Sequence, residues 1–144
     1  MSERSAIVIH FPVRPHVYKY LQSKVGEKLI VTKNNFYGGM VLDILSKNYS
    51  DLQAVSDDFT YPVEISVRYM EKMGFYIDAR IMKKFNSRID DLFREEMRTF
   101  VGLNYELNKI PKENSLRQFI YKYNLDEDEI KFETLLKDLV RNLK

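Results

Sequence analysis

The stretch of sequence that decides the fold is residues 78–104, DARIMKKFNSRIDDLFREEMRTFVGLN. Its apolar residues recur at steps of one, three or four, the spacing that places side chains on one face of an α-helix. They are Ile81, Phe85, Ile89, Leu92, Phe93, Met97, Phe100 and Val101. Asp78 is a good N-cap residue, and Gly102 and Asn104 favour termination. The pattern predicts an amphipathic helix over residues 79–102, about 36 Å long.

The opposite face of this predicted helix carries charges of both signs. Acidic and basic side chains alternate along it: Arg88, Asp90, Asp91, Arg94, Glu95, Glu96 and Arg98. General acid–base catalysis requires carboxylates that converge in a desolvated cleft. Ion pairs within one solvated helix face explain the alternation better, so these carboxylates are not predicted to be catalytic.

The composition limits the class of protein. The chain has 144 residues, 44% of them hydrophobic, with 23 basic and 21 acidic residues and a net charge of +2. It is long enough to bury a core without covalent cross-links. Because it has no cysteine, disulfides, thiol catalysis and cysteine-ligated metals are excluded. The near-neutral balance gives no strong indication of a nucleic-acid or membrane partner.

The rest of the N-terminal part alternates between strand and helix patterns. β-Branched runs and period-two alternation predict strands near residues 6–11, 29–31, 63–70 and 75–77. Period-3.6 patterns predict helices near residues 15–25 and 40–48. We therefore expect an α+β fold, with a small antiparallel sheet covered by helices that include the long amphipathic one.

The segment around Pro111 is the clearest boundary in the chain, and it predicts a core domain over residues 1–110 and a helical unit over residues 111–144. In that unit, apolar spacing predicts a helix over residues 115–123, a short helix near 126–130 and a helix from about 133. This rhythm resembles a helix-turn-helix motif. The acidic run 126–129 and the zero net charge of residues 112–144 favour a different interpretation, a helical hairpin that packs on the long helix or on a partner.

The helix-turn-helix resemblance implies contacts to double-stranded DNA through the last helix. The residues it implies for this role are Lys131, Thr134, Lys137 and Arg141. A second basic surface is predicted because residues 1–33 hold six basic and two acidic residues, a net +4. Its members are Arg14, Lys19 and Lys24.

Other candidate sites are weaker. His10 and His16 are the only histidines, and their spacing matches no metal motif, so we predict structural roles and no metal site. The polar segment 32–39 ends in Gly38 and Gly39 before a predicted helix, an arrangement that can bind an anion. It matches no phosphate-binding motif, and a turn is the preferred interpretation.

The helix-turn-helix resemblance and the basic N-terminal surface together lead us to predict a DNA-associated accessory or regulatory protein, of the phage or mobile-element type. The alternative is a protein–protein assembly module or homo-oligomer that uses the long amphipathic helix and binds no nucleic acid. We predict no enzymatic activity and no cofactor, because no motif for nucleophilic or phosphoryl chemistry is present. No run of apolar residues is long enough to cross a membrane, and we expect a cytoplasmic location.

Overall fold

The computed structural model describes residues 6–45, 59–73 and 79–143. Strands and helices are both present, which confirms the α+β class. In chain order the elements are β1 (Ala6–Val13), α1 (Pro15–Lys24), β2 (Leu29–Ile30), α2 (Phe36–Leu45), β3 (Phe59–Ser66), α3 (Val67–Met73), α4 (Ala79–Asn108), α5 (Lys112–Lys122) and α6 (Phe132–Asn142).

The sheet has three strands in the order β1-β3-β2. β1 and β3 pair antiparallel along their whole length, from Ala6 opposite Ser66 to Val13 opposite Phe59. β2 pairs with β3 in parallel, so the sheet is mixed where a wholly antiparallel one was expected. The reason is the connection, because α2 lies between β2 and β3 and such a crossover returns the chain in the same direction.

The long helix α4 is confirmed, and it runs past the predicted end at Gly102 to Asn108. A glycine inside a helix costs only about 1 kcal/mol relative to alanine, and packing outweighs that cost here. Val101 is fully buried, and the ring of Phe100 lies 6.1 Å from that of Phe119 in α5. The helix ends where Lys109 takes a left-handed backbone conformation, with φ of 57°, next to the predicted boundary.

Other predicted elements differ in position. Residues 67–70, expected to continue a strand, begin α3, because the Ser66 hydroxyl accepts a hydrogen bond from the Tyr69 N–H and caps that helix. The predicted helix near residues 126–130 is a single turn closed by the Asp126 carbonyl. The predicted strand 75–77 and the last three residues of the predicted helix 40–48 lie outside the described residues.

One buried cluster extends through the sheet and helices α1, α2, α4, α5 and α6. α4 supplies the predicted apolar stripe, of which Ile81, Phe85, Ile89, Phe93, Met97 and Val101 are buried. Phe93 is central, because its ring contacts those of Tyr20, Phe119 and Tyr123. The predicted boundary at Pro111 therefore marks the end of α4, while side chains on both of its sides share this cluster.

Candidate nucleic-acid interface

A cleft of about 460 Å³ lies where the start of α1, the middle of α4 and the turn before α6 meet. Three residues predicted for nucleic-acid binding line it: Arg14 from the N-terminal basic surface, and Lys131 and Thr134 from the C-terminal helix. The structure thus brings members of the two predicted surfaces to one place. The remaining lining residues are Pro15, His16, Asn86, Asp90, Arg94, Asp128, Glu129 and Ile130.

Arg14 is positioned through its backbone. It stands between β1 and α1, and because Pro15 follows, its backbone is extended, with φ of −67° and ψ of 153°. Its N–H donates a hydrogen bond of 2.9 Å to the side-chain oxygen of Asn86 in α4. This long-range contact holds the Arg14 segment at the rim of the cleft.

Lys131 and Thr134 stand at the beginning of α6. Lys131 is the N-cap residue, and its carbonyl accepts the N–H of Thr134 at 3.0 Å. The Glu127 carboxylate accepts the N–H of Phe132 at 3.2 Å, which fixes the entry into the helix. Both Lys131 and Thr134 are exposed. The first turn of a helix also presents partial positive charge from its N–H groups.

Lys137 and Arg141 continue the same surface along α6. Thr134, Lys137 and Arg141 follow at steps of three and four, so they lie on one side of the helix, and each is exposed. Leu135 and Leu139 point the other way, into the core. Within the residues that the structure describes, neither Lys131, Lys137 nor Arg141 has an ion-pair partner.

The two other predicted basic residues have partners inside the fold. Lys19 donates to the Asn124 carbonyl and, at 2.6 Å, to the Glu129 carboxylate. Lys24 lies 2.8 Å from the Glu96 carboxylate. These contacts fasten α1 to α4 and to the turn after α5, so the structure gives both lysines a structural role beside the predicted one.

A chain of charged contacts underlies the cleft and orients α6. His16 Nε2 lies 2.5 Å from Asp90 Oδ1, and Arg94 Nε lies 3.0 Å from Asp90 Oδ2. Arg94 also donates to Asp138 at 3.1 Å, and Arg98 donates to both oxygens of Asp138, at 2.7 and 2.9 Å. These charged contacts thereby join α1, α4 and α6.

The carboxylates of Asp90 and Asp138 stay ionised, because the pKa of each is lowered. Burial alone would raise the pKa of Asp90, but hydrogen-bonding and electrostatic interactions with His16 and then with Arg94 outweigh it and hold that pKa below its ordinary value. Hydrogen bonds from Arg98 and then Arg94 lower the pKa of Asp138. Asp138 is 8% exposed and interrupts the apolar face between Leu135 and Leu139. An acidic residue between two buried leucines is a sequence signal for a buried ion pair, and the predictions from helical spacing did not include it.

The expectation of purely intrahelical ion pairs on α4 is therefore only half right. Asp90 and Arg94 do pair at the predicted spacing of four residues. Asp90 also binds His16, however, and Glu96 accepts a hydrogen bond from the hydroxyl of Tyr123 in the turn after α5. Their partners are 74 and 27 residues away in the chain, so only the tertiary structure could reveal them.

The other sequence candidates are placed as follows. His16 is buried in the first turn of α1, with its ring 5.1 Å from that of Phe93, whereas His10 is exposed on β1. Gly38 lies inside α2, and the Asn35 side chain accepts its N–H. The segment considered for anion binding, and preferred as a turn, thus leads into the capped first turn of a helix. Across residues 6–45, 59–73 and 79–143, no three His, Cys, Asp or Glu side chains cluster as a metal site.

Comparison with known proteins gives no relative. No family model matches the sequence, and neither the curated proteins nor the solved structures contain a match. Among the described helices, none combines the length and the apolar character needed to cross a bilayer.

Proposed function

We propose that this protein binds the phosphate backbone of double-stranded DNA in the cytoplasm, as an accessory or regulatory factor of the phage or mobile-element type. The contact surface consists of Arg14, Lys131, Thr134, Lys137 and Arg141, and we call it the α6 surface. The observation that carries the proposal is the convergence of Arg14 with Lys131 and Thr134, which are more than 100 residues apart in the sequence, at one cleft.

The charges of the α6 surface suit phosphate. Lysine and arginine bind nucleic acid by displacing counterions from phosphates, and a cation already paired with a carboxylate is less effective. Lys131, Lys137 and Arg141 have no such partner in the described part of the chain. Glu129, which belongs to the acidic run 126–129, is paired with Lys19 at 2.6 Å.

The geometry favours backbone contacts over a standard helix-turn-helix. The connection between α5 and α6 covers residues 123–131, which is longer than the three- or four-residue turn of that motif. α6 nevertheless has one buried face and one exposed face, as a helix lying against DNA requires. The exposed face carries Thr134, Lys137 and Arg141, and also Val140, which is 72% exposed. Phosphate contacts position a protein and carry no sequence information, so we expect weak preference among duplex sequences.

The test is fluorescence anisotropy of a labelled duplex titrated with protein at several salt concentrations. We expect binding to weaken steeply with salt, and Lys137→Ala and Arg141→Ala each to reduce the slope of log affinity against log salt by about 1. Lys33→Ala is the matched control, because it removes one exposed cation from the turn before α2. Absent or salt-insensitive binding, or an equal loss in the control, would refute the proposal.

The second candidate is the assembly module on the long helix. Phe93 and five other residues of the apolar stripe are buried inside this chain, and Leu92 and Phe100 are partly buried. Leu103 and Leu107, in contrast, are 50% and 73% exposed near the end of α4. They are four residues apart and so lie on one side of the helix. If these leucines form an interface, Leu107→Lys should reduce self-association measured by light scattering.

A further inference from the structure

β1 lies at an edge of the sheet formed by the described strands, with β3 on one side only. The hydrogen bonds of β3 show which backbone N–H and C=O groups of β1 have no partner in this sheet. The Glu64 carbonyl accepts the N–H of Val31, so the backbone groups of Glu64 point toward β2. Val8 stands opposite Glu64, and the two residues therefore form a non-hydrogen-bonded pair of the antiparallel ladder. The N–H and C=O of Val8 consequently point away from the sheet, as do those of Ala6 and His10.

The side chains at this edge are apolar on both faces of the sheet. Ile7 and Val8 point to opposite faces and are 42% and 44% exposed. Residues 6–13 contain no lysine, arginine, aspartate or glutamate, although natural edge strands are commonly protected by such charges. A flat partner surface would cover only one face, whereas an added strand would cover Ile7 and Val8 together.

We propose that β1 pairs antiparallel with β1 of a second copy of this chain, centred on Val8, so that the two sheets become one. In this register Val8 faces Val8 of the copy and Ala6 faces His10 of the copy, and each pair exchanges two backbone hydrogen bonds. Ile7 then stands directly opposite Ile9 of the copy on the helix-covered face. The inference is independent of DNA binding.

The sequence of β1 selects both the occupant and the register. Antiparallel pairing with itself matches β-branched residues with β-branched residues, a favourable cross-strand combination, and brings no like charges together. Centring on His10 would place Val8 opposite Pro12 of the copy, and Pro12 has no N–H to donate. Among residues 6–13, the register centred on Val8 uses every outward N–H group and avoids this loss.

Sedimentation analysis of three proteins tests the proposal: wild type, Val8→Lys and Val8→Glu. We expect a wild-type dimer, and a dissociation constant raised about tenfold or more in each variant, because like charges then stand directly opposite each other. Mixing the two variants should restore the dimer, since Lys then faces Glu. Circular dichroism shows whether each variant is folded. Of the backbone donors, Val8→Pro removes only an outward N–H group, so this variant should also be a folded monomer.

Tyr121→Lys is the matched control, because it adds the same charge at an exposed aromatic residue of α5, away from β1 and from the exposed leucines of α4. It should leave the dimer intact. A wild type that stays monomeric at its highest soluble concentration overturns the proposal, as does a dimer that Tyr121→Lys disrupts and Val8→Lys does not. Two folded variants that fail to associate when mixed also overturn it, because only a second copy of β1 provides that complementarity.

Discussion

Replacing Asp138 by alanine tests whether α6 is held in place by charge. The Asp138 carboxylate accepts two hydrogen bonds from Arg98, one from Arg94 and a longer one, of 3.4 Å, from the Asn142 side chain. Removing one partner from a buried ion pair costs about 3–5 kcal/mol, whereas an exposed pair contributes less than about 1 kcal/mol. Asp138 is 8% exposed, but the side chains of Arg94 and Arg98 are 23% and 34% exposed. We therefore expect Asp138→Ala to lower the free energy of unfolding by about 2–3 kcal/mol.

Urea unfolding followed by far-UV circular dichroism measures this change. Glu113→Ala is the control, because Glu113 and Arg117 form an exposed pair at 4.0 Å and its loss should cost at most about 0.5 kcal/mol. Combining Asp138→Ala with Arg98→Ala in a double-mutant cycle isolates the coupling between these two side chains. A loss below about 0.5 kcal/mol for Asp138→Ala, or additive effects in the cycle, would refute the reasoning.

The same variant should also change the response to acid. Arg98 and Arg94 lower the pKa of Asp138 in the folded state, so the folded protein binds a proton there less readily than the unfolded chain. The stability from this carboxylate is complete above the unfolded pKa of about 3.9 and is lost as the pH falls through the lower folded value. The difference between wild type and Asp138→Ala should therefore shrink as the pH falls below about 4.

Two further tests concern the effect on stability of alanine at Gly38 and Gly39, and of phenylalanine at Tyr61. A Cβ atom at Gly38 would lie 2.6 Å from the Thr32 nitrogen, whereas one at Gly39 would meet nothing within 4 Å. Thermal melting should therefore show that Gly38→Ala lowers stability by about 1–3 kcal/mol and that Gly39→Ala raises it by up to about 1 kcal/mol. Equal effects of the two substitutions would contradict this geometry. Burial, and then the neighbouring Tyr18, raises the pKa of Tyr61 to about 12. The folded state therefore keeps this proton when the unfolded chain loses it near pH 10. As a result, the free energy of unfolding falls as the pH rises from about 10 to about 12. Tyr61→Phe should lose less stability than wild type between about pH 10 and 12, and parallel curves would speak against this assignment.

The sequence by itself determined the elements whose pattern is a property of local backbone geometry. The 3.6-residue period identified α4 and the face that it buries, and β-branched residues identified β1. Pro111 located the change from α4 to the C-terminal helices. The capped start of α3 at Ser66 is also local, and the alternation of Val63, Ile65, Val67 and Tyr69 concealed it. The α+β class follows from these local patterns, because each element must bury its apolar face against another.

Only the tertiary structure decided the direction of β2 and the composition of the candidate site. Sequence patterns selected Lys131 on the last helix, and Arg14, Lys19 and Lys24 as a second basic surface. They could not separate these residues further, because an exposed and a paired lysine look alike in a sequence. The fold places Arg14 and Lys131 at one cleft and pairs the two other lysines with carboxylates. The physical reason is distance: a Coulomb interaction or hydrogen bond depends on separation in space, and residues more than 100 positions apart become neighbours only when the core is formed.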